Sequence, residues 1–302
     1  MSKERKAAWN AFWGQARRSG GGGCLPGGSP ALECAQRAVW QRFAQGVVRN
    51  GRVLDLATGD GRVMAWMREK RGDLAAIGVD LADELPPAPS GSSICGGVAM
   101  EELPFADASF DVVVSQFGFE YGDVSTIACE IRRVLVPGGA VALLTHREDG
   151  VILAHNRARR DAIAWAVDRE DLPGIARRSL SLRAAGISSV PPAIATAPAR
   201  GQALFGQGSA AWEIAEAIRR TLELGRMDAP QRVAASIDAI AAMAIGEIAR
   251  ISALEAACEV AADERALAEA FAGAGLEQTG SETVRESPAA KPFADFRTIR
   301  IS

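Results

Sequence analysis

The segment Val53–Val63, VLDLATGDGRV, constrains the fold more than any other part of the sequence. Its apolar run VLDLA leads into the glycine turn TGDG, and Val63, Trp66 and Met67 then recur at helical spacing. The pattern predicts a strand, a tight turn and a helix. Ligands bind at such crossings of open parallel sheets, because glycine lets the backbone approach them and the helix N-terminus offers unpaired N–H groups. The segment therefore predicts a nucleotide-type site.

The residues around this turn distinguish between two kinds of nucleotide ligand. A dinucleotide fold usually carries a third glycine three residues after the second, where this sequence has Met64. Asp55 on the strand and Ala57 before the turn complete a D-x-A-x-G-x-G pattern. This pattern resembles motif I of the class I S-adenosylmethionine-dependent methyltransferases. In that family the turn receives the methionine part of the cofactor, which has no phosphate, so a third glycine is not required.

Further stretches follow in the order typical of that family. AAIGVD reads as a second strand that ends at Asp80, and MEELPFADASFDVVVSQFGFEY resembles the acidic-LPF segment and the fourth strand. IRRVLVPGGAVALLTH is similar to the helix, PGG turn and fifth strand, and ALAEAFAGAGLEQTG and FADFRTIRI to the last helix and the final strand pair. The resemblance is strongest to the ubiquinone/menaquinone-biosynthesis-like group of small-molecule methyltransferases.

The resemblance implies an α/β fold with a Rossmann-like, mostly parallel sheet of seven strands in the order 3-2-1-4-5-7-6. We expect an N-terminal helical cap at residues 1–46 and the first part of the cofactor-binding core at residues 47–146. Residues 147–262 have helical periodicity throughout and form an insertion after the fifth strand, and residues 263–302 complete the core. Within the insertion, a loop rich in proline and alanine is expected at Val190–Arg200.

The resemblance also implies which residues contact S-adenosylmethionine. An aspartate at the end of the second strand accepts hydrogen bonds from ribose hydroxyls. The family often places an aspartate near the adenine amine, but this chain has Ala99 there, which leaves the backbone N–H of Met100 for that contact. The predicted cofactor contacts are Asp55, Ala57, Thr58, Gly59, Asp60, Gly61, Asp80, Leu81, Met100, Glu101, Ser115 and Gln116.

Candidates for catalysis and for acceptor binding follow the fourth and fifth strands. Methyl transfer is an in-line displacement, for which positioning is the main requirement, and a base helps only when the acceptor must lose a proton. His146, at the end of the fifth strand, is either that base or an ordinary polar residue, and Tyr121 holds or deprotonates an acceptor. The candidate substrate contacts are Trp13, Phe117, Phe119 and Glu120. The alternative is that the aromatic rings only pack the loop.

Two flanking regions have open alternatives. The N-terminal helix, residues 1 to about 19, either covers the cofactor with Trp13 and its neighbours or packs on the outside of the sheet. The glycine-rich run Gly20–Gly28 would provide a hinge in the first case. The helical insertion is either a lid that binds substrate or a surface for homodimerisation, and the two roles are compatible.

The composition of the chain argues against several classes of binding partner. The formal net charge of −3 argues against a polyanionic partner, and no Asn-Pro-Pro-aromatic signature follows the fourth strand, so we expect no DNA substrate. The N-terminus lacks a signal-peptide core, and charges interrupt the longest apolar region, so we expect a cytoplasmic protein without a membrane span. The five cysteines form no CxxC pair, which predicts reduced thiols and no metal site.

The sequence therefore predicts an S-adenosylmethionine-dependent methyltransferase that acts on an O, N or C atom of a small, partly apolar molecule. One alternative is a protein or RNA methyltransferase whose insertion docks a macromolecule. Another is a catalytically inactive cofactor-binding subunit with a regulatory or assembly role.

Overall fold

A seven-stranded sheet lies at the centre of the predicted cofactor-binding core. The computed structural model describes residues 6, 9–10, 12–14, 29–181 and 189–302. The strands are β1 Arg52–Leu56, β2 Ala75–Val79, β3 Ser92–Cys95, β4 Phe110–Gln116, β5 Leu135–His146, β6 Leu276–Arg285 and β7 Pro292–Ile301. Their order is β3-β2-β1-β4-β5-β7-β6, with only β7 antiparallel to its neighbours. The predicted sheet order and direction are confirmed.

Helices follow the strands and form the insertion predicted after β5. Those of the first half are α1 Pro30–Gln45, α2 Arg62–Lys70, α3 Val124–Val134 and α4 Val151–Ala164. Those of the second half are α5 Leu172–Ser181, α6 Pro192–Phe205, α7 Ala210–Leu224, α8 Pro230–Ala262 and α9 Glu264–Gly273. The chain divides into two compact units, one of Met1–Ala154 with Ala253–Ser302 and one of His155–Ser252.

The alternation of side chains along the strands separates two hydrophobic layers on the two faces of the sheet. Successive residues of a strand point to opposite faces. Val53 of β1, with Val112 and Val114 of β4, belongs to one buried cluster, together with Trp40 of α1. Leu54, Leu56 and Val113 belong to the other cluster, which α3 and α9 help to form. The same alternation decides which polar side chains of a strand can reach a ligand site at the edge of the sheet.

The start of α1 and its buried face follow from the sequence. The Ser29 hydroxyl accepts a hydrogen bond from the Leu32 backbone N–H, and Pro30 occupies the first turn, where a missing N–H costs nothing. The buried stripe of this helix is Leu32, Gln36, Val39, Trp40 and Ala44. Gln36 is the one polar member of that otherwise apolar stripe.

The helical unit has its own core and contains one departure from expectation. Ile163, Leu172, Ile194, Ile218 and Ile237 are all fully buried in one cluster. The expected loop at Val190–Arg200 is wrong, because the helix α6 covers most of it and contains Pro198. Pro198 costs one backbone hydrogen bond. Close packing offsets this cost: a Cβ at Gly201 would lie 3.0 Å from the Ala211 carbonyl carbon of α7.

The N-terminal helix is described in part. Lys6, Trp9, Asn10 and Phe12–Gly14 are helical, whereas the other residues of that predicted helix and the Gly20–Gly28 run lie outside the described residues. Across residues 29–181 and 189–302, no helix combines the length and hydropathy that a membrane crossing requires. The same part of the chain places no three His, Cys, Asp or Glu side chains together as metal ligands.

Candidate active site

Four polar side chains stand side by side at the carboxyl edge of the sheet. Asp80 follows β2, Asp55 is in β1, Gln116 ends β4 and His146 ends β5. The strands are neighbours in that order, about 4.8 Å apart, and all four residues line one open pocket with an empty volume of about 1040 Å³. The edge of the sheet therefore brings together residues separated by up to 91 positions in the sequence.

Most of the predicted site residues line this pocket. From the cofactor set these are Asp55, Ala57, Thr58, Gly59, Asp60, Asp80, Leu81, Met100, Glu101 and Gln116. From the catalytic and substrate sets they are Trp13, Phe117, Tyr121 and His146. The pocket lies wholly within the unit that contains the sheet. The individual roles of these residues remain predictions.

Four predicted residues stand outside the lining, for reasons of alternation and packing. Ser115 is one residue from Gln116 and points to the other face, where its hydroxyl donates to the Leu56 carbonyl and accepts from the Phe119 N–H. Phe119 is 1% exposed and stacks on Phe271, so it belongs to the core rather than to a substrate contact. Gly61 packs against Pro89, and Glu120 acts through His146, as described below.

The turn after β1 is held in a left-handed backbone conformation. Ala57 has φ 53°, Gly59 has φ 56° and Gly61 has φ 73°. A residue other than glycine in this region carries strain, which is typical of functional turns. The Ala57 methyl group lies against Gly118, because a Cβ added at Gly118 would lie only 2.4 Å from it. The small residue in the D-x-A-x-G-x-G pattern thus reflects the close approach of the β1 and β4 turns.

Trp13 covers the first glycine of the turn. A Cβ at Gly59 would lie 2.3 Å from the Trp13 ring, so glycine is required there for this contact as well as for its φ. The N-terminal segment is also held by Asp83, whose backbone N–H donates to Asn10 Oδ1 at 2.8 Å and whose carboxylate pairs with Lys6 Nζ at 2.7 Å. That Trp13 covers a bound cofactor stays a prediction.

The Asp80 carboxylate joins the end of β2 to the glycine turn. Its Oδ2 accepts from the Gly59 backbone N–H at 2.9 Å, and its Oδ1 accepts from the Ala82 N–H at 2.9 Å. Burial raises the pKa of this carboxyl, while these backbone bonds favour the charged form. Each carboxylate oxygen has a second lone pair. Asp80 is therefore fixed in position and retains acceptor capacity for a hydroxyl group of a ligand.

Asp55 is a fully buried carboxyl with one unsatisfied oxygen. Thr58 Oγ1 donates to Asp55 Oδ2 at 2.6 Å, whereas Asp55 Oδ1 has no hydrogen-bond partner. Burial raises the pKa of Asp55 from 3.8 to about 7, and the nearby Asp60 and Asp80 charges add to the rise. A cationic group that approaches Oδ1 would stabilise the charged form of this buried carboxyl.

The pocket carries an excess of negative groups. Four carboxyl side chains line it, from Asp55, Asp60, Asp80 and Glu101, against one guanidinium, that of Arg62, which pairs with Asp60. Glu101 Oε2, like Asp55 Oδ1, is buried without a partner. S-adenosylmethionine carries an ammonium, a sulfonium and ribose hydroxyls, so this donor and acceptor set fits it. The ring-lined remainder of the pocket is neutral and largely apolar.

His146 is held from two directions by one carboxylate. Glu120 Oε1 accepts from the His146 backbone N–H at 2.9 Å and lies 2.8 Å from its Nδ1. Both side chains are almost fully buried, at 3% and 1% exposure. In the tautomer that carries its proton on Nδ1, this N–H donates to Glu120 Oε1 and Nε2 is the acceptor nitrogen of the ring. Glu120, predicted as a substrate contact, is instead the partner of the candidate base.

Aromatic rings enclose His146. Phe117 stacks on the imidazole with ring centroids 4.1 Å apart and an interplanar angle of 26°, and Tyr121 meets it edge-on at 5.9 Å. Trp9 in turn contacts Tyr121 at 5.5 Å. Phe117 has φ 55°, so its ring is placed by another left-handed turn at a strand end. These rings fix the imidazole plane and surround it with apolar surface.

A chain of side-chain hydrogen bonds connects α1 to the end of β4. Trp40 Nε1 donates to Gln116 Oε1 at 2.7 Å, and Gln116 Nε2 donates to Gln36 Oε1 at 3.1 Å. Gln36 is fully buried, lines the pocket, and its Nε2 has no partner. Sequence reasoning missed Gln36, although a glutamine within the apolar stripe of α1 was a visible signal.

Comparison with known proteins supports the family assignment. Residues 54–143 match a family model described as a methyltransferase domain. The ubiquinone/menaquinone biosynthesis C-methyltransferase of Geotalea daltonii is 36% identical over 119 residues, which cover 35% of this chain and 51% of that protein. The demethylmenaquinone methyltransferase of Thermus thermophilus is 32% identical over 101 residues, covering 31% and 46% respectively.

One solved structure matches nearly the whole chain at low similarity. It is the complex between the Haloferax volcanii Trm112 methyltransferase activator and a methyltransferase-type chain, with 15% identity, a TM-score of 0.46 and coverage of 97% of this chain and 96% of that one. This chain spans about half the length of the curated relatives it matches. The predicted resemblance is confirmed for part of the chain: residues 54–143 form a methyltransferase domain that is similar to the C-methyltransferases of the ubiquinone/menaquinone-biosynthesis group.

Proposed function

We propose that this protein transfers a methyl group from S-adenosylmethionine to an O, N or C atom of a small, partly apolar molecule. The observation that carries the proposal is the division of one pocket into two parts. Carboxylates at the ends of β1 and β2 form a cation-binding part, and a buried histidine among aromatic rings lies at the ends of β4 and β5. The first part suits the cofactor and the second suits an uncharged acceptor.

The chain's own residues supply the binding of the cofactor in this proposal. Asp80 offers its remaining lone pairs to the ribose hydroxyls, and Asp55 Oδ1 offers a negative charge to the cationic methionine part. Leu81, Met100 and Glu101 line the adjoining wall and form the adenosine side. When bound, S-adenosylmethionine supplies an electrophilic methyl group on a sulfonium. Asp60 and the backbone of the Ala57–Gly61 turn complete this side of the pocket.

His146 acts as the base that removes a proton from the acceptor. Its Nε2 would accept the proton that the acceptor loses, so that the acceptor atom has an electron pair available for the methyl group of the bound cofactor. Glu120 holds the Nδ1 proton and stabilises the imidazolium that forms. Phe117 and Tyr121 exclude water and keep the imidazole plane fixed. No covalent enzyme intermediate is needed.

The activity of one relative indicates which kind of methyl acceptor to expect. The Geotalea daltonii protein is a C-methyltransferase of ubiquinone and menaquinone biosynthesis. An aromatic ring that bears a hydroxyl group suits the β4–β5 part of this pocket, because the rings of Phe117 and Tyr121 provide apolar contact. Removal of the hydroxyl proton by His146 would activate either the oxygen or the adjacent ring carbon.

The proposal is tested by a transfer assay with radiolabelled S-adenosylmethionine and a panel of hydroxylated naphthalenes and benzenes. We expect label in the organic extract with the wild type and a loss of about a hundredfold or more with His146→Ala. The matched control is His155→Ala, which changes the only other histidine. Absence of label from every acceptor, despite bound cofactor, would contradict the small-molecule proposal.

One observation favours a second candidate function, methylation of a protein. The helical unit His155–Ser252 exposes several large apolar side chains, namely Leu204, Leu224, Met227, Met243 and Ile245, and Met227 is 97% exposed. Exposed apolar side chains mark an interaction surface where they form a contiguous patch. Label from the cofactor that appears in the protein fraction of an extract, and disappears with Leu224→Ser combined with Met227→Ser, would favour this candidate. Light scattering of the same variant tests the predicted homodimer.

A further inference from the structure

The orientation of three side chains leaves one hydrogen-bond donor fixed in the wall of the pocket. The indole of Trp40 can only donate, so the group it meets at 2.7 Å on Gln116 must be the amide oxygen. Gln116 therefore presents its amide nitrogen to Gln36, and Gln36 presents its own oxygen in return. The remaining group of Gln36, its Nε2, is set as a donor.

Gln36 cannot reverse this orientation without loss. If the Gln36 amide were flipped, its nitrogen would face the amide nitrogen of Gln116, and the hydrogen bond between the two side chains would be lost. Gln36 Nε2 is buried and has no partner, and an unsatisfied buried amide costs about 1–3 kcal/mol. A ligand that supplies an acceptor atom at this position removes that cost, whereas a ligand that supplies another donor does not.

The position of Gln36 assigns this donor to the acceptor side of the pocket. Its only described side-chain partner, Gln116, ends β4, next to the strand that ends at His146, whereas the acidic residues lie in β1 or in the segments that follow β1, β2 and β3. We propose that Gln36 is a specificity-determining residue whose Nε2 binds an oxygen atom of the methyl acceptor, a carbonyl or ring-hydroxyl oxygen. This inference rests on the proposed function for the identification of that ligand as a methyl acceptor.

Two consequences for the substrate follow from this arrangement. The acceptor carries an oxygen with an available lone pair beside its apolar ring, since an amide donor meets it. An analogue in which a methyl or methylene group replaces that oxygen leaves Gln36 Nε2 unsatisfied and binds about tenfold more weakly. Sites that hold a buried polar group reject ligands that lack its partner.

The test compares the binding of 1-tetralone and of tetralin, which lacks the carbonyl oxygen, by ligand-observed NMR titration. We expect the wild type to prefer 1-tetralone by about tenfold and Gln36→Met to bind the two equally. Gln36→Leu provides a second apolar replacement of different shape. Gln41→Leu is the matched control, because this glutamine of the same helix bonds Glu69 outside the pocket and its loss should leave the preference intact.

Calorimetric titration of the same proteins with S-adenosylhomocysteine separates the inference from the proposed function. A wild type that shows the 1-tetralone preference but binds no S-adenosylhomocysteine would contradict the proposed function and leave the Gln36 site standing. A wild type that does not distinguish the two probes, or a Gln36→Met variant that keeps the preference, would overturn the inference. So would a Gln36→Met variant whose only defect is weaker S-adenosylhomocysteine binding.

Discussion

Glu120 Oε1 accepts a hydrogen bond from the backbone N–H of His146 and lies 2.8 Å from the Nδ1 of the same residue. One oxygen thus fixes both the strand end and the ring. Because Glu120 lies in the turn after β4 and His146 ends β5, the contact joins two neighbouring strand ends at the edge of the sheet. The candidate base is therefore positioned by the fold rather than by a mobile loop.

The charge of Glu120 should matter more for turnover than for binding. Glu120→Gln keeps an oxygen that can accept from both His146 groups but removes the charge that stabilises the imidazolium. We expect kcat to fall about tenfold, with the affinity for S-adenosylhomocysteine unchanged. Steady-state kinetics with an acceptor from the panel, together with calorimetry, separate the two quantities. An unchanged kcat would show that His146 does not gain a proton during the reaction.

Cofactor affinity should depend on pH through Asp55. Its carboxyl has a pKa of about 7 because it is buried, and a cationic ligand favours the charged form. Affinity is then highest above pH 7 and falls by up to about tenfold between pH 8 and pH 6 as the carboxyl gains a proton. Calorimetric titration with S-adenosylhomocysteine across this range measures the effect. Asp55→Asn should bind more weakly and lose this pH dependence.

The stability of the free protein should change with pH in the opposite sense. Asp55 has a higher pKa folded than unfolded, so its stabilising contribution is present below pH 3.8 and is lost as pH rises through 7. Relative to the wild type, Asp55→Asn should gain roughly 2–3 kcal/mol of unfolding free energy between pH 5 and pH 8. Urea denaturation at both pH values provides the measurement. If the difference in unfolding free energy between the two proteins were the same at both pH values, this would be inconsistent with a buried carboxyl of raised pKa.

A methyl group at Gly59 should disturb the site through contact as well as backbone strain. Gly59→Ala places a Cβ 2.3 Å from the Trp13 ring, in a residue with φ 56°. Gly138→Ala is the matched control, because Gly138 has φ 78° and open space around its Cβ position. Both variants should lose about 1 kcal/mol of stability from the backbone, but only Gly59→Ala should weaken S-adenosylhomocysteine binding. Equal binding by the two variants would refute the role of the Trp13 contact.

Arg297 should contribute far more to stability than an exposed arginine. It is 1% exposed and donates to the Ala261 carbonyl and to Glu264, which ties β7 to the end of α8 and the start of α9. Arg297→Met leaves these groups without their donor and should cost about 3 kcal/mol. Arg265→Ala, which removes an exposed pair with Glu269, should cost less than 1 kcal/mol. Comparable losses in urea denaturation would contradict the predicted difference.

The sheet could be predicted because its signals are local and ordered. The strand–turn–helix segment at Val53–Val63 and the later motif blocks fixed the strand order through resemblance to a family, and the structure has the same order. The helix α6 was missed because its prolines suggest a loop, although alanine favours a helix. Its close packing against α7 at Gly201 is a tertiary effect that local propensity does not report.

Site residues could be predicted best where the position of a residue along its strand alone decides which face of the sheet its side chain points to. Gln116 and His146 line the pocket, but Ser115 points to the opposite face, which a count by two along β4 would have revealed. Phe119 could not be separated from Phe117 by sequence, because the turn after β4 sends one ring to each face. The Gln36 amide depends on Trp40 and on Gln116, 80 residues away, so its orientation appears only in the folded chain.

Whether the acidic end of the pocket binds S-adenosylmethionine is measured by calorimetric titration of the wild type and of Asp80→Ala with S-adenosylmethionine and S-adenosylhomocysteine. We expect micromolar binding of both ligands by the wild type. Because Asp80 holds the Gly59 N–H and offers acceptors to the ribose, we expect a loss of about tenfold or more in Asp80→Ala. Failure of the wild type to bind either ligand, or equal affinity in Asp80→Ala, would contradict cofactor binding at this end of the pocket.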